Sequence, residues 1–298
     1  MKHFHTGGVV ILDFGSQYTQ LIARRVREHN VFSEILPPET PIDDIKKRHP
    51  SALILSGGPS SVFTDEAPQF DNAVMDSEIP ILGICYGLQL LAHHHGGSVE
   101  STGHGEYGFT EIEVDDNAGL FKNVSHCSQV WMSHMDRVSQ LPNGWHMLAH
   151  SSNGVVAAMA NHDQSRVATQ FHPEVAHTEE GETLLNNFLF NIADCSPTWT
   201  AENFIDEQVV KIRDQVGDGK VLVGVSGGVD STVVAALMQR AIGERSTAVL
   251  IDHGLMRKNE AGQCVSALRD GLGININLHD GSDLFMKKLK GVENPEEK

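Results

Sequence analysis

The chain has 298 residues and carries 22 Lys and Arg against 39 Asp and Glu, a formal net charge of −17 with a pI near 5.3. An acidic surface repels phosphate backbones and anionic lipid, which argues against non-specific binding to nucleic acid or to a membrane surface. The four cysteines, Cys85, Cys127, Cys195 and Cys264, are widely spaced without a C-x-x-C pair, no basic leader with an apolar core opens the chain, and no apolar run reaches membrane-spanning length; a cysteine-built zinc site and a disulfide framework are disfavoured, and a reducing cytoplasm is the expected compartment.

In chain order, residues 8–13 (GVVILD) read as a buried parallel strand meeting its carboxyl-end loop. Tyr18, Leu21, Ile22 and Val26 then recur at helical spacing. Short strands follow at 32–36, 52–56 and 79–84, the second running straight into Gly57-Gly58-Pro59. Strands alternating with helices predict a doubly wound α/β sheet, whose ligands bind beyond the carboxyl ends of the strands. Further strands are expected at 109–114, 155–160 and 167–171, and a closing helix at 183–192.

Proline and small polar residues in 194–200 (DCSPTWT) mark a boundary, giving domains 7–196 and 197–298. The second repeats the α/β texture: a helix over 201–215, strands at 220–225, 246–252 and 274–278, and a helix over 260–270. Three strands make a thin sheet, so this domain is read as the first part of a larger one.

Gly83-Ile84-Cys85-Tyr86-Gly87 joins the fourth strand to an apolar helical segment and has the Gly-x-nucleophile-x-Gly form of a nucleophile elbow, with sulfur at its apex. On these residues alone, a thiol protease, an esterase-like thiol enzyme and an amidotransferase all remain open. A thiol nucleophile needs a base and a group that orients the base. His172 and Glu174, in Phe171-His172-Pro173-Glu174 at a strand end, supply both. The amides of Gly57-Gly58 and Tyr86 are the expected oxyanion donors.

The loop Ser226-Gly227-Gly228-Val229-Asp230-Ser231-Thr232 lies between a strand and a helix. Its glycine amides, its hydroxyls and the helix dipole suit a phosphate group. It lacks the Gly-Lys-Ser/Thr ending of a Walker A loop, and Asp230 is placed to hold Mg²⁺ against pyrophosphate. His93-His94-His95 occupy consecutive helical positions about 100° apart, so the three are not expected to converge on one ion.

Taken together, these motifs are specific. The first domain resembles a class I, triad-type glutamine amidotransferase, the second a PP-loop ATP pyrophosphatase, and their order resembles the glutamine-hydrolysing GMP synthase family. Longer phrases agree: Asp13-Phe14-Gly15-Ser16-Gln17-Tyr18, Val130-Trp131-Met132-Ser133-His134 and Gln170-Phe171-His172-Pro173-Glu174-Val175. The resemblance implies a flavodoxin-like first domain with Cys85 as nucleophile, His172 as base, Glu174 as orienter and Gly58 with Tyr86 as oxyanion donors. It implies that Gln89, Ser133 and His134 hold glutamine, and that residues Ser226 to Thr232, with Val229 among them, bind ATP with Mg²⁺. Ammonia from glutamine would then convert XMP to GMP after ATP adenylylates its C2 oxygen.

The family has Arg and Gly where this chain has Gly105 and Met135. The resemblance also implies a longer pyrophosphatase domain and a C-terminal dimerisation domain, so this chain is expected to keep the glutaminase half and to make GMP poorly by itself. Two other readings are an ammonia-supplying subunit for a separate synthetase and a non-catalytic nucleotide-binding regulator.

Overall fold

The computed structural model describes residues 7–64, 67–294 and 296, with the side chains of Thr102 and His104 outside the description. It divides into two compact units, Met1–Thr200 and Ala201–Lys298. The first runs β1 (Val9–Leu12), α1 (Thr19–Glu28), β2 (Ser33–Leu36), α2 (Ile42–Lys46), β3 (Ala52–Leu55), β4 (Ile81–Ile84), α3 (Tyr86–His94), β5 (Ser98–Val114), β6 (Cys127–Gln140), β7 (Trp145–Ser151), β8 (Val156–Asn161), β9 (Arg166–Thr169) and α4 (Gly181–Asn186).

Its nine strands lie in the order β2-β1-β3-β4-β9-β8-β7-β5-β6. Pairing is parallel from β2 to β9 and antiparallel beyond. Every residue of β1, β3, β4 and β9 is buried. Alternate positions feed opposite layers: Val9, Ile11, Ala52 and Ile54 pack with Ile22 and Val26 of α1, while Val10, Leu12, Leu53 and Leu55 pack with Leu88 and Leu91 of α3. Helices cover both faces, which is the doubly wound arrangement expected of strands that are apolar throughout. Each fully buried Leu or Ile contributes roughly 1.5–3 kcal/mol.

Two features exceed the sequence reading. The strand expected at 109–114 extends back to Ser98, and β6 and β7 occupy segments where the sequence predicts no strand. β6 alternates buried and exposed residues from Ser128 to Val138, the pattern of an antiparallel strand with one face on the core. The helix expected over 183–192 is α4 followed by a π-helical turn, Asn187–Ile192, in which buried Asn187 donates to the carbonyls of Leu120 and Lys122 at 2.9 and 2.7 Å.

What matters for function is the adjacency of β4 and β9. Ile84 pairs with Thr169, and the next amide, Cys85 N–H, donates to Thr169 O at 2.7 Å. The cysteine elbow and the histidine loop therefore leave the same sheet edge side by side.

The second unit contains α5 (Ala201–Val216), β10 (Val221–Val225), α6 (Val229–Ile242), β11 (Ser246–Asp252), α7 (Glu260–Ser266), β12 (Ile276–Asp280) and α8 (Ser282–Leu289). The strands are parallel in the order β10-β11-β12. Val223, Val225, Ala248, Leu250 and Ile276 form its core. The alternate positions Leu222, Ile251 and Asn277 are exposed, so among the described residues this sheet is covered on one face. No helix among the described residues is long and apolar enough to cross a membrane.

Candidate active site

The elbow forms because the backbone crowds itself at two glycines. A Cβ on Gly83 would lie 2.6 Å from Gly87 O, and one on Gly87 would lie 2.5 Å from Leu55 O. Only hydrogen fits at either place. Between them Cys85 takes φ 53°, ψ −102° and ends the strand as the N-cap of α3. A non-glycine residue held there stores strain of order 1–3 kcal/mol, which the surrounding packing must over-determine. All residues from Tyr86 to Ala92 are buried, and that packing anchors the turn.

Around the sulfur, Cys85 Sγ donates to Ser133 O at 3.5 Å and accepts from Gln170 Nε2 at 3.6 Å. Gln170, fully buried, also receives a bond from Gln89 Nε2 at 3.5 Å, and Gln89 donates to Asp136 O at 2.8 Å. The sulfur is thus tied through two amides to Asp136 in β6.

His172 follows β9. Its Nδ1 donates to Glu174 Oε1 at 2.7 Å, and the glutamate is fully buried. Because a carboxylate accepts only, Nδ1 carries hydrogen and Nε2 is the nitrogen free to face sulfur. Burial pushes the imidazole pKa down, but the Glu174 carboxylate and its contacts with Cys85 outweigh burial and raise it to about 10. The loop is fixed from three sides. Thr178 Oγ1 donates to His172 O at 2.7 Å and accepts from Trp131 N–H at 3.1 Å, Arg25 Nε donates to Glu174 O at 2.9 Å, and the Tyr18 ring meets the imidazole edge-on at 5.1 Å.

The Gly57-Gly58 turn closes the third side. A Cβ on Gly57 would sit 3.2 Å from His172 Cε1 and 3.6 Å from Cys85 Cβ, and one on Gly58 only 2.5 Å from Phe14 O. Ser56 Oγ donates to Gly57 O at 2.9 Å and accepts from Phe14 N–H at 2.9 Å. In a planar trans peptide the Gly58 N–H points opposite to that carbonyl, so Ser56 sets its direction. The amide of Tyr86 opens α3, where first-turn N–H groups have no intrahelical partner.

These elements enclose a cleft of about 460 Å³ lined by Gly15 to Tyr18, Gly58 to Ser61, Cys85, Gln89, Tyr107, Ser133 to Asp136 and His172. Gly58, Gln89, Ser133 and His134 therefore meet the nucleophile in one space, while Glu174 stands behind His172. His134 is buried, with Nδ1 donating to Asp136 O at 3.0 Å and Nε2 facing Glu106 Oε2 at 3.3 Å. Burial lowers its pKa, with Glu106 opposing. Gly105 abuts His134 O so closely that no side chain fits, a physical reason for glycine at the first of the two departures. Met135, the second, is half-exposed and lines the cleft. The sequence assigns no role to Thr178, which carries no motif signal, nor to Ser56, Tyr18 or Gln170, which stand inside phrases that carry the family resemblance, Leu55-Ser56-Gly57-Gly58-Pro59-Ser60-Ser61-Val62 among them.

In the second unit, residues Ser226 to Thr232 join β10 to α6 with Gly228 as N-cap and Gly227 at φ +85°. Ser231 Oγ accepts from Ser226 N–H at 3.2 Å and lies 3.2 Å from Ser226 Oγ, while Thr232 Oγ1 donates to Gly228 O at 2.8 Å. Asp230 is exposed in the first turn of α6, and Val229 beside it is 78 % exposed. The loop is a preformed, open cradle of amides and hydroxyls.

A family model described as Glutamine amidotransferase class-I matches residues 10–192, and one described as NAD synthase matches residues 199–294. A GMP synthase [glutamine-hydrolyzing] of Thermobifida fusca is 48% identical over 290 residues, 97% of this chain and 55% of its own length. That of Maridesulfovibrio salexigens is 46% identical over 296 residues, 99% of this chain and 58% of its own length. The chain spans about half the length of these curated relatives. A solved structure from Thermoplasma acidophilum, provisionally assigned as one subunit of a GMP synthase, is 33% identical with a TM-score of 0.57, over 63% of this chain and 94% of that one.

Proposed function

The chain belongs to the class I glutamine amidotransferase family, and from that premise we propose that its first unit hydrolyses glutamine, with Cys85 as nucleophile, His172 as base and Glu174 as the group that orients it. The observation that carries the reading is Cys85 held at positive φ beside an imidazole whose far nitrogen is locked to a buried carboxylate at 2.7 Å. Sγ attacks the carboxamide carbon, and its proton resides on His172 Nε2. The oxyanion that develops is met by the amides of Gly58 and Tyr86. His172 then protonates the departing nitrogen, the C–N bond breaks, and ammonia leaves a thioester on Cys85. Water gives a proton to His172 and adds to the thioester; the C–S bond breaks, glutamate leaves and the proton returns to sulfur. Gln89, Ser133 and His134 position the glutamine.

The reading extends to the activity in the relatives' name: ammonia converts XMP to GMP at the expense of ATP. Ser226 to Thr232 would hold the ATP phosphates. The oxygen-only donors of this cradle, the Asp230 carboxylate with the Ser226 and Ser231 hydroxyls, fit Mg²⁺ rather than a softer ion. Bound there, Mg²⁺ would neutralise pyrophosphate charge, with Asp230 as its holder. A second reading, an ammonia-supplying subunit for a separate synthetase, is favoured by the likeness to the Thermoplasma protein, 94% of which is covered by 63% of this chain.

Glutamate release from glutamine, and its loss in Cys85→Ala, tests the first step; undiminished release in that variant would remove Cys85 from the mechanism. AMP formation from ATP that depends on XMP and ammonium tests the second unit: with that unit read as part of a larger pyrophosphatase domain, the 298-residue chain by itself should perform the reaction poorly or not at all, and robust GMP synthesis by it would overturn that expectation.

A further inference from the structure

The helix that begins at the nucleophile ends at a second cluster of chemistry-bearing side chains. α3 has nine residues, so this end lies roughly 14 Å along its axis from Cys85. We propose that Asp76, His94 and His95 form a site for a divalent transition-metal ion of the Zn²⁺ or Ni²⁺ type, independent of the glutamine chemistry.

The expectation that the histidine run cannot converge holds only while the helix continues. His94 is its last residue and His95 its C-cap, at φ −87°, ψ 11°. The two rings consequently stand 4.9 Å apart with perpendicular planes, whereas His93 turns away to the Phe63 ring at 5.6 Å. Asp76 arrives from the segment before β4. Its Oδ1 is 3.3 Å from His94 Nε2, and one ligating atom from each of the three residues lies within 4.8 Å of the others. Tetrahedral bonds of about 2.0–2.1 Å hold ligand atoms about 3.3–3.4 Å apart. The His94–Asp76 pair already has that spacing, and a ligating nitrogen of His95 lies within 4.8 Å of both. Among the described residues this is the one group of His, Cys, Asp and Glu with such proximity.

A second observation points to a ligand: His95 Nε2 is buried and lacks a hydrogen-bond partner. Its ring is braced by Trp145 at 5.3 Å. The negative end of the α3 dipole favours a cation, and Glu78 and Asp163 line the adjoining cavity. Arg166 is the opposing charge there. Its guanidinium donates to the carbonyls of Met75 and Ser77, on either side of Asp76, and so fixes the segment that presents the carboxylate. Two imidazoles and one carboxylate suit Zn²⁺, Ni²⁺, Co²⁺ or Cu²⁺ and do not suit Mg²⁺ or Ca²⁺. Bound metal would clamp the end of the nucleophile helix to the segment before β4.

The test is a titration of the full, metal-free chain with ZnCl₂ by calorimetry, and with Co²⁺ by visible absorption, alongside Asp76→Ala, His95→Gln and His93→Gln. The expected result is one saturable equivalent, a tetrahedral Co²⁺ spectrum, and a rise of about 5–10 °C in the first unit's unfolding midpoint at 100-fold excess over Kd. Asp76→Ala, whose side chain is 69% exposed and therefore safe to truncate, should weaken binding at least tenfold, as should His95→Gln. His93→Gln should stay within twofold of the parent chain. Full affinity in Asp76→Ala, equal losses in His93→Gln and His95→Gln, or no saturable binding at micromolar Zn²⁺ would each overturn the proposal.

Discussion

The two units place their chemistry at the same topological position, a loop between a parallel strand and the helix that follows, yet build it in opposite ways. In the first, β4 and α3 are buried and the elbow is so crowded that two glycines are obligatory. In the second, the loop from Ser226 to Thr232 is mostly exposed, and a Cβ on Gly228 meets only Ser226 Oγ at an ordinary 3.4 Å. The difference follows from the work proposed for each. A nucleophile must be aimed within a fraction of an ångström at carbon and base, which takes a rigid, desolvated frame. A phosphate cradle needs only donors pointing one way, and backbone amides supply these at the surface.

The largest expected effect tests the rigid side of that contrast. His172→Ala should lower glutamate release by about 10²–10⁴-fold with the far-ultraviolet circular dichroism unchanged; a loss below tenfold would mean the imidazole is a bystander. Glu174→Gln should cost up to about 10⁴-fold and also move a pH limb. His172 carries a pKa raised to about 10. With the folded pKa above the unfolded one, its stabilising contribution is complete below about 6.5 and is lost as pH rises through about 10. Removing the carboxylate leaves burial in charge, so the alkaline limb of kcat/KM should shift toward neutrality. A limb that stays put would contradict the pairing.

The glycine contrast can be read in stability alone. Gly87→Ala drives a methyl against Leu55 O and should destabilise the first unit by about 2–3 kcal/mol in urea unfolding. Gly228→Ala, at φ −78°, should stay within about 0.5 kcal/mol. Similar values at both sites would erase the distinction. The smallest effect concerns the sulfur's surroundings. Gln170→Leu removes bonds to Cys85 Sγ and from Gln89, and should lower kcat up to about tenfold with KM little changed, as befits one or two neutral hydrogen bonds.

How far the sequence announces all this depends on whether a feature is local. β1, β3, β4 and the start of α3 are continuous apolar runs, and the elbow and the Phe171-to-Glu174 phrase are contiguous, so both were legible. β6 and β7 were not, because half of each strand is polar and one-face burial dilutes the apolar signal that marks an interior strand. Gln170 reaches Cys85 across 85 residues, and Thr178 and Ser56 each tie a near neighbour, His172 or Gly57, to a partner 47 or 42 residues away; no spacing rule reaches that far. The histidine run keeps its expectation for all three residues together, since His93 turns away to Phe63; a helical-wheel argument does not reach the pair His94 and His95, because the helix stops at His94.

The most direct test of the account is covalent labelling with a glutamine analogue bearing a chloroketone in place of the carboxamide, read by intact mass and peptide mapping. The account predicts one adduct, on Cys85 alone among the four cysteines, slowed by glutamine and absent in Cys85→Ala. Labelling of exposed Cys127 at the same rate, or adduct formation on Cys85 that glutamine does not slow, would contradict it.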